Sequence, residues 1–196
     1  MLVLAFDTAT PEASVALVSD GQVLGERSGR AAALLALADE LVREAGLTPS
    51  ALEALAVGIG PGSFTGVRVG LAAARGLGLA LGIPAAGVSS LAALAAAAPG
   101  ALPVIDARRG EVFVDGGEPR VCLPQDVRPA PEQLCVGDGA SRYRAELEAA
   151  GAVVPPDESE LHRIRARFHA QLAADFGPAD ELEPLYLRIP DVDRVA

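Results

Sequence analysis

LEALAVGIGPGSFTGVRVG, residues 52–70, decides how this chain folds. It begins as an apolar run, passes through a glycine-rich loop and ends in a segment of helical spacing. A buried strand that turns through glycines into a helix is the unit of α/β architecture. The same loop has the look of a phosphate cradle, because backbone N–H groups at a helix N-terminus point outward. Three details count against that use. No lysine follows, so the loop is not a GxxxxGK[ST] P-loop. Glycines at 58, 60, 62 and 66 do not fit GxGxxG, and Pro61 removes one N–H from the turn. Nor does Ser63 stand in a GxSxG frame, since Pro61 and Thr65 occupy the flanking positions. The plain alternative is a tight connection that packs a helix close to a sheet.

Working outward, LVLAFDTAT, ASVALVS and QVLGERS read as three strands joined through Pro11-Glu12 and Asp20-Gly21, an antiparallel meander. Residues 31–45 follow as a helix, stopped by Gly46 and Pro49. Residues 66–82 form a second helix, ended by Gly82 and Pro84. AAGV is a short strand, and Ser89-Ser90 cap a third helix through Ala98. Pro99-Gly100 separates two units, 1–98 and 101–196. In the second, ALPVIDA is a strand closing on an aspartate, and EVFVDGGEPRVCL is a hairpin around Gly116-Gly117. QLCVGDG precedes a helix from Ser141 to Ala150, and residues 158–176 predict a last helix. Strands followed by helices, twice, with an aspartate closing the first strand each time, predict a duplicated α/β unit whose second copy is shorter.

Composition narrows the chemistry. The 196 residues suffice for a sizeable core. The longest apolar candidate for a membrane span, 76–107, is broken by Gly82, Pro84, Gly87, Pro99 and Gly100, and no basic segment precedes the N-terminal apolar stretch. Lysine, asparagine and tryptophan are absent, so all 16 positive charges are arginines and no Schiff-base lysine exists. The net charge is −10, and neither half of the chain is basic, which argues against gripping nucleic acid unaided. Cys122 and Cys135 have neither disulfide-framework density nor metal spacing, which predicts a reducing cytoplasm. His162 and His169 stand seven apart, not at the i, i+4 spacing of a helical ligand pair. With Arg163, Arg165 and Arg167 beside them they read as a solvated helix face, and no metal site is predicted. Asp106 to Glu111 packs charge into a turn, an Arg–carboxylate network without a partner for acid–base chemistry.

The helix behind the glycine loop carries Gly66, Gly70, Ala74, Gly78 and Gly82 at every fourth position. Such a row is a groove nearly free of side chains. Interior glycines cost about 1 kcal/mol each relative to alanine, so something must approach closely, either from within the chain or from another molecule. The preceding helix tilts the balance outward: AAALLALADELV is apolar on more than one face, with Leu34, Leu37 and Leu41 on one stripe and Leu35 and Val42 beside it. Leu34, Leu37, Leu41, Gly66, Gly70, Ala74 and Gly78 are therefore the predicted partner-binding residues.

FDTAT…SVAL, GIGPGSFTGVRVGLAAARGL, GVSSL, IDARRGEVF and EPLYLR occur in that order. Across nearly the whole chain they resemble the bacterial TsaB family, also called YeaZ. The resemblance implies an α/β actin-like/sugar-kinase-like (ASKHA) fold, two tandem related subdomains with mixed sheets flanked by helices. In that superfamily a strand ending in D-x-G-T cradles phosphate and magnesium. Here Asp7-Thr8-Ala9-Thr10 has Ala9 in place of the glycine, and its β-carbon blocks close approach. Asp7, Thr8, Gly60, Gly62, Ser63 and Thr65 are thus expected to form a vestigial nucleotide loop.

The resemblance further implies a non-catalytic, activating subunit in tRNA N6-threonylcarbamoyladenosine modification. No catalytic residue, metal or cofactor is expected, with ATP only at a subunit junction. The implied partners are a TsaD-type catalytic subunit, whose HxxxH is missing here, and a TsaE-type ATPase. The chain alone would be a cytoplasmic homodimer off the membrane, meeting tRNA only indirectly, and its two N-terminal helices would join a helical bundle with the TsaD-type subunit. Two departures stand out: Arg30-Ala31 replaces a His-Ser or His-Thr pair, and the hairpin at Asp115 to Glu118 is short. Two other classes stay open. An ATP-dependent kinase or ATPase is opposed by Ala9 and the missing lysine; a peptidase is opposed by the lack of a Ser–His pairing.

Overall fold

A strand that is apolar at every position before its last residue must be covered on both faces. That is the case for the first strand, β1 (Leu2–Asp7), in the computed structural model of this chain, which describes residues 1–188. Residues 189–196, the end of the second predicted unit, lie outside the described residues. In chain order β1 is followed by β2 (Ala13–Ser19), β3 (Gln22–Gly29), α1 (Leu34–Glu44), β4 (Ala54–Gly58), α2 (Phe64–Leu81), β5 (Ala85–Val88) and α3 (Ser90–Ala96). Then come β6 (Leu102–Arg108), β7 (Glu111–Asp115), β8 (Pro119–Cys122), β9 (Cys135–Val136), α4 (Asp138–Arg142), α5 (Arg144–Ala149) and α6 (Ala166–Leu172).

The first sheet has the order β3-β2-β1-β4-β5 and the second β8-β7-β6-β9. The first three strands of each form an antiparallel meander, and the fourth lies parallel to the first. The second sheet is the first without its fifth strand, so the duplication read from the sequence is an architectural one. The mixed sheets flanked by helices are the predicted actin-like arrangement.

Leu2, Leu4 and Phe6 meet α1 and α2 on one face of the first sheet, while Val3 and Ala5 meet α6 on the other. Each large side chain so buried contributes about 1.5–3 kcal/mol. α3 leaves the first unit and packs Leu91 and Leu94 against Ile105, Phe113 and Val136 of the second. α6 returns from the second unit to cover the first sheet. The helices α3 and α6 thus form the inner layers between the two sheets, and the site described below sits where they meet the end of β1.

The helix predicted over 158–176 is only α6. A 3-10 turn at Glu160–His162 precedes it, and Arg163 and Arg165 are extended. The reason is a crossing between cores: Ile164 is buried in the second unit and Ala166, two residues on, in the first. An extended chain makes that step; a helix cannot. The helix predicted from Ser141 to Ala150 divides at Tyr143 into α4 and α5. α2 starts earlier than predicted, because the Ser63 hydroxyl caps it by accepting from the Gly66 N–H at 3.3 Å. α1 has no such cap, as its start at Ala33 offers no side-chain acceptor.

Among the described residues α2 is the one helix long and apolar enough to cross a membrane, 18 residues of mean hydropathy 1.2. It carries Arg68 and Arg75 and lays Val67, Leu71 and Ala74 on the sheet.

Both cysteines are free. Burial pushes the Cys135 thiol up to about 11, which leaves almost no thiolate at neutral pH. A folded sample titrated with an alkylating reagent at pH 7.5 is therefore expected to react at Cys122 alone, and an unfolded sample at both. Modification of Cys135 in the folded chain would contradict the packing.

Candidate functional site

The carboxylate that closes β1 is fully committed inside the protein. Asp7 Oδ1 accepts from the Ala9 N–H at 2.6 Å. Oδ2 accepts from the Ser90 hydroxyl at 2.5 Å and pairs with His169 Nε2 at 2.9 Å. Ser90 opens α3 and His169 lies on α6, so one carboxylate ties three elements together. Asp7 is 1% exposed and His169 0%. Burial pushes the Asp7 carboxyl up, but the hydrogen bond and charge of His169, with the bonds from Ser90 and the Ala9 N–H, outweigh it and hold it below the usual value. His169 Nδ1 is buried with no hydrogen-bond partner among the described residues.

Both histidines were read as a solvated face, and both are buried. His162 bridges the carbonyl oxygens of Gly137 at 2.9 Å and Pro155 at 3.1 Å. Arg163 and Arg167 point outward and Arg165 is half-buried, each in an ion pair: Arg163 with Glu12 and Glu160, Arg165 with Glu160, and Arg167 with Glu26. Ser90, His169 and Asp7 are the constituents of a hydrolytic triad with the wrong connectivity. Serine and imidazole both address the carboxylate, so no base faces the hydroxyl, and all three groups are out of reach of a substrate. Among the described residues no group of three His, Cys, Asp or Glu side chains could hold a metal ion.

The glycine row of α2 is filled from within. The Thr8 hydroxyl donates to the Gly66 carbonyl oxygen at 2.7 Å. A β-carbon at Gly70 would stand 2.6 Å from Thr8 Oγ1, and one at Gly66 would collide with the Thr8 carbonyl oxygen. At Gly78 it would meet the Ala179 methyl, in a 3-10 turn near the chain's end. Gly70, Ala74 and Gly78 are buried. Leu34 and Leu41 are buried on the sheet as well, with Leu37 partly so, seated over Gly25 and Gly29 of β3. The seven predicted partner-binding residues therefore lie on the inward faces for a physical reason: the Thr8 carbonyl and hydroxyl and the Ala179 methyl of this chain are the close approach that the glycines permit. The outward faces of the two helices carry different residues, namely Leu35, Val69 and Leu79 with Ala36, Ala72 and Gly76.

The predicted nucleotide loop is closed on its Asp7 side. Gly62 presses on the Ala9 carbonyl oxygen, and the Ser63 N–H donates to it at 2.7 Å. Gly60 packs against Val67. On its other side the loop borders a cleft of about 470 Å³ between the two units, where Ser63 and Thr65 face Asp106, Arg108, Arg109 and Arg188. The charged turn is the predicted network: Asp106 pairs with Arg108 at 3.1 Å and Arg142 at 3.4 Å. Arg108 and Arg109 hold φ values of +63° and +56° ahead of Gly110 at +79°. Left-handed backbone at two arginines costs about 1–2 kcal/mol each. Phe64 and Tyr186 also border the cleft, their ring centroids 5.7 Å apart. Arg68 lies 3.7 Å over the Phe64 ring, and its Nε–H donates to the Tyr186 hydroxyl at 3.1 Å.

Three comparisons bear on this geometry. The family model for TsaD, tRNA N6-adenosine threonylcarbamoyltransferase, matches residues 28–127. Among solved structures, an uncharacterized protein from Pseudomonas aeruginosa with similarity to peptidase YEAZ is 30% identical and superposes with a TM-score of 0.80, covering 95% of this chain and 99% of its own. YeaZ from Pseudomonas aeruginosa is likewise 30% identical, with the same coverage of both chains and a TM-score of 0.78. No curated protein matched.

Proposed function

The chain belongs to the TsaB (YeaZ) family, and from that premise we propose that it is a non-catalytic, activating subunit in the formation of N6-threonylcarbamoyladenosine in tRNA. Its task is to dock a TsaD-type catalytic subunit in the cytoplasm. The observation that carries this reading is the outward face of α1 and α2, which lie on the same face of the first sheet. Leu79 is 88% exposed and Leu35 55%, and Val69, Ala36, Ala72 and Gly76 are exposed on the same two helices. Helices on one sheet face that present large aliphatic groups to solvent mark an interaction surface. The inward glycine and leucine rows set how closely these helices sit on the sheet, and so shape that surface without touching the partner.

Two features support the non-catalytic part. The aspartate that would serve phosphate or metal is spent on Ala9, Ser90 and His169. The arginines near α6 are spent on carboxylates, and the chain carries a net charge of −10, so tRNA is held by another subunit. Without the catalytic subunit the same apolar face pairs two copies of this chain, and a TsaE-type ATPase joins the assembled complex.

Leu79→Asp and Leu35→Asp test the reading. Each places a charge on the docking face and is expected to weaken association with the TsaD-type subunit of the same organism at least about tenfold. Both substitutions are exposed, so the melting midpoint stays near that of the unaltered chain. Co-elution of both variants at unaltered strength would overturn the docking face. Threonylcarbamoyladenosine formed by the unaltered chain without any TsaD-type subunit would overturn the non-catalytic role.

A further inference from the structure

The apolar side of α2 has an edge, and the edge is charged. Resting on the docking role of α2, we propose that the carboxylates of Asp180, Glu181 and Glu183 select the partner. They favour a docked subunit that carries lysine or arginine beside its apolar contact, and they disfavour a second copy of this chain on the same face.

The edge is a strap, residues 177–188, that returns along α2. Gly177 exchanges backbone hydrogen bonds with Ala85 of β5 at 2.8 and 3.0 Å. The Ala179 methyl lies over Gly78, and the Arg75 guanidinium donates to the Leu182 carbonyl oxygen at 2.8 Å. The Leu185 N–H donates to the Ile59 carbonyl oxygen, also at 2.8 Å. Backbone and methyl contacts thus hold the strap in place without using its acids. Asp180, Glu181 and Glu183 are exposed, and among the described residues their carboxylates make no ion pair or hydrogen bond. Leu79 follows Arg75 by one helical turn on the same side of α2. Its 88% exposed side chain therefore stands beside the 3-10 turn Ala179–Glu181.

These charges are not offset locally. Arg75 sets one positive charge against the three, and Arg68, nearer the start of α2, is turned to Phe64 and Tyr186. On α1 Asp39 and Glu44 are paired with Arg43 and Arg27, and Glu40 is left over. The result is an apolar ridge bounded by negative charge. A polar rim around an apolar centre is the anatomy of an interface, and the sign of the rim governs encounter rate and choice of partner more than affinity. Two copies of one chain pair through the same patch on each, so the negative edge of one copy would lie against that of the other. A partner with basic residues at that edge is attracted where a second copy is repelled, and the difference is specificity.

Sedimentation of the full chain, alone and with the TsaD-type subunit of the same organism, tests the rim at about 50 mM and about 500 mM sodium chloride. Association with that subunit is expected to weaken about tenfold as salt rises, while self-pairing strengthens. The triple variant Asp180→Asn, Glu181→Gln, Glu183→Gln is expected to bind the subunit about tenfold more weakly at low salt, with a flatter salt response, and to pair with itself more tightly. Its melting midpoint stays near that of the unaltered chain, because the three side chains are exposed. Unaltered binding of the subunit by this variant, or self-pairing that it does not strengthen, would overturn the rim. Leu79→Asp separates the two readings. If it weakens association and the triple variant does not, the docking face stands and the rim falls; if neither weakens it, the docking face itself is wrong.

Discussion

Replacing His169 with alanine is expected to destabilise the protein by about 3–5 kcal/mol, a large share of what holds a domain together. The loss comes less from the missing ring than from what it leaves behind. Asp7 stays buried, still bonded to Ser90 and the Ala9 N–H, but without the imidazole that offsets its burial. The effect also has a sign in pH. In the unaltered chain the folded Asp7 carboxyl lies below its ordinary value of 3.8. Its contribution to stability is therefore complete above that value and is lost as pH falls through the lower folded one. In the variant, burial pushes the carboxyl up, so ionised Asp7 becomes a liability that protonation relieves. The deficit relative to the unaltered chain should shrink between pH 7 and pH 4 in urea unfolding. An equal deficit at both pH values would mean that only a cavity had been made, and the charge argument would fail.

How much of this could be read from the letters depended on distance along the chain. The meander was legible because its signals are local: Asp20 and Gly21 both take positive φ, as that turn requires. The Asp106–Arg108 pair was legible for the same reason, its members standing two residues apart, but the reach of Arg142 to the same carboxylate was not. His169 was misread because arginines at 163, 165 and 167 drew attention to charge. The helical period carried the better signal. Ala166, His169, Ala170 and Ala173 share one face of α6, while Arg167 is exposed beside it and Arg163 and Arg165 stand in the extended segment before the helix, so the histidine lies in a stripe of small residues packed on the first sheet. The cleft was not legible at all, since Ser63, Arg108 and Arg188 meet only through the packing of two units. The spacing of the glycine row was plain in the sequence, but nothing local could say that its occupants were Thr8 and Ala179.

That occupancy is best tried by adding one methyl group at a time along α2. At Gly66 the new β-carbon runs into the Thr8 carbonyl oxygen, an atom of the buried β1 connection that has little room to move. Gly66→Ala is expected to cost about 3 kcal/mol, the upper range for overpacking. At Gly78 the collision is with the methyl of Ala179, buried in a 3-10 turn whose backbone must shift to make room, and the cost is about 1–3 kcal/mol. At Gly76, exposed and with nothing within 4 Å, the sign reverses. There alanine removes an interior helix glycine and should stabilise by up to about 1 kcal/mol. Thermal or urea unfolding of the three variants gives the order directly. Had the row been an empty groove awaiting another molecule, all three would stabilise the isolated chain. A loss at Gly66 and Gly78 beside a gain at Gly76 is what an internally filled row requires, and it leaves the opposite side of α2, around Leu79, as the proposed docking side.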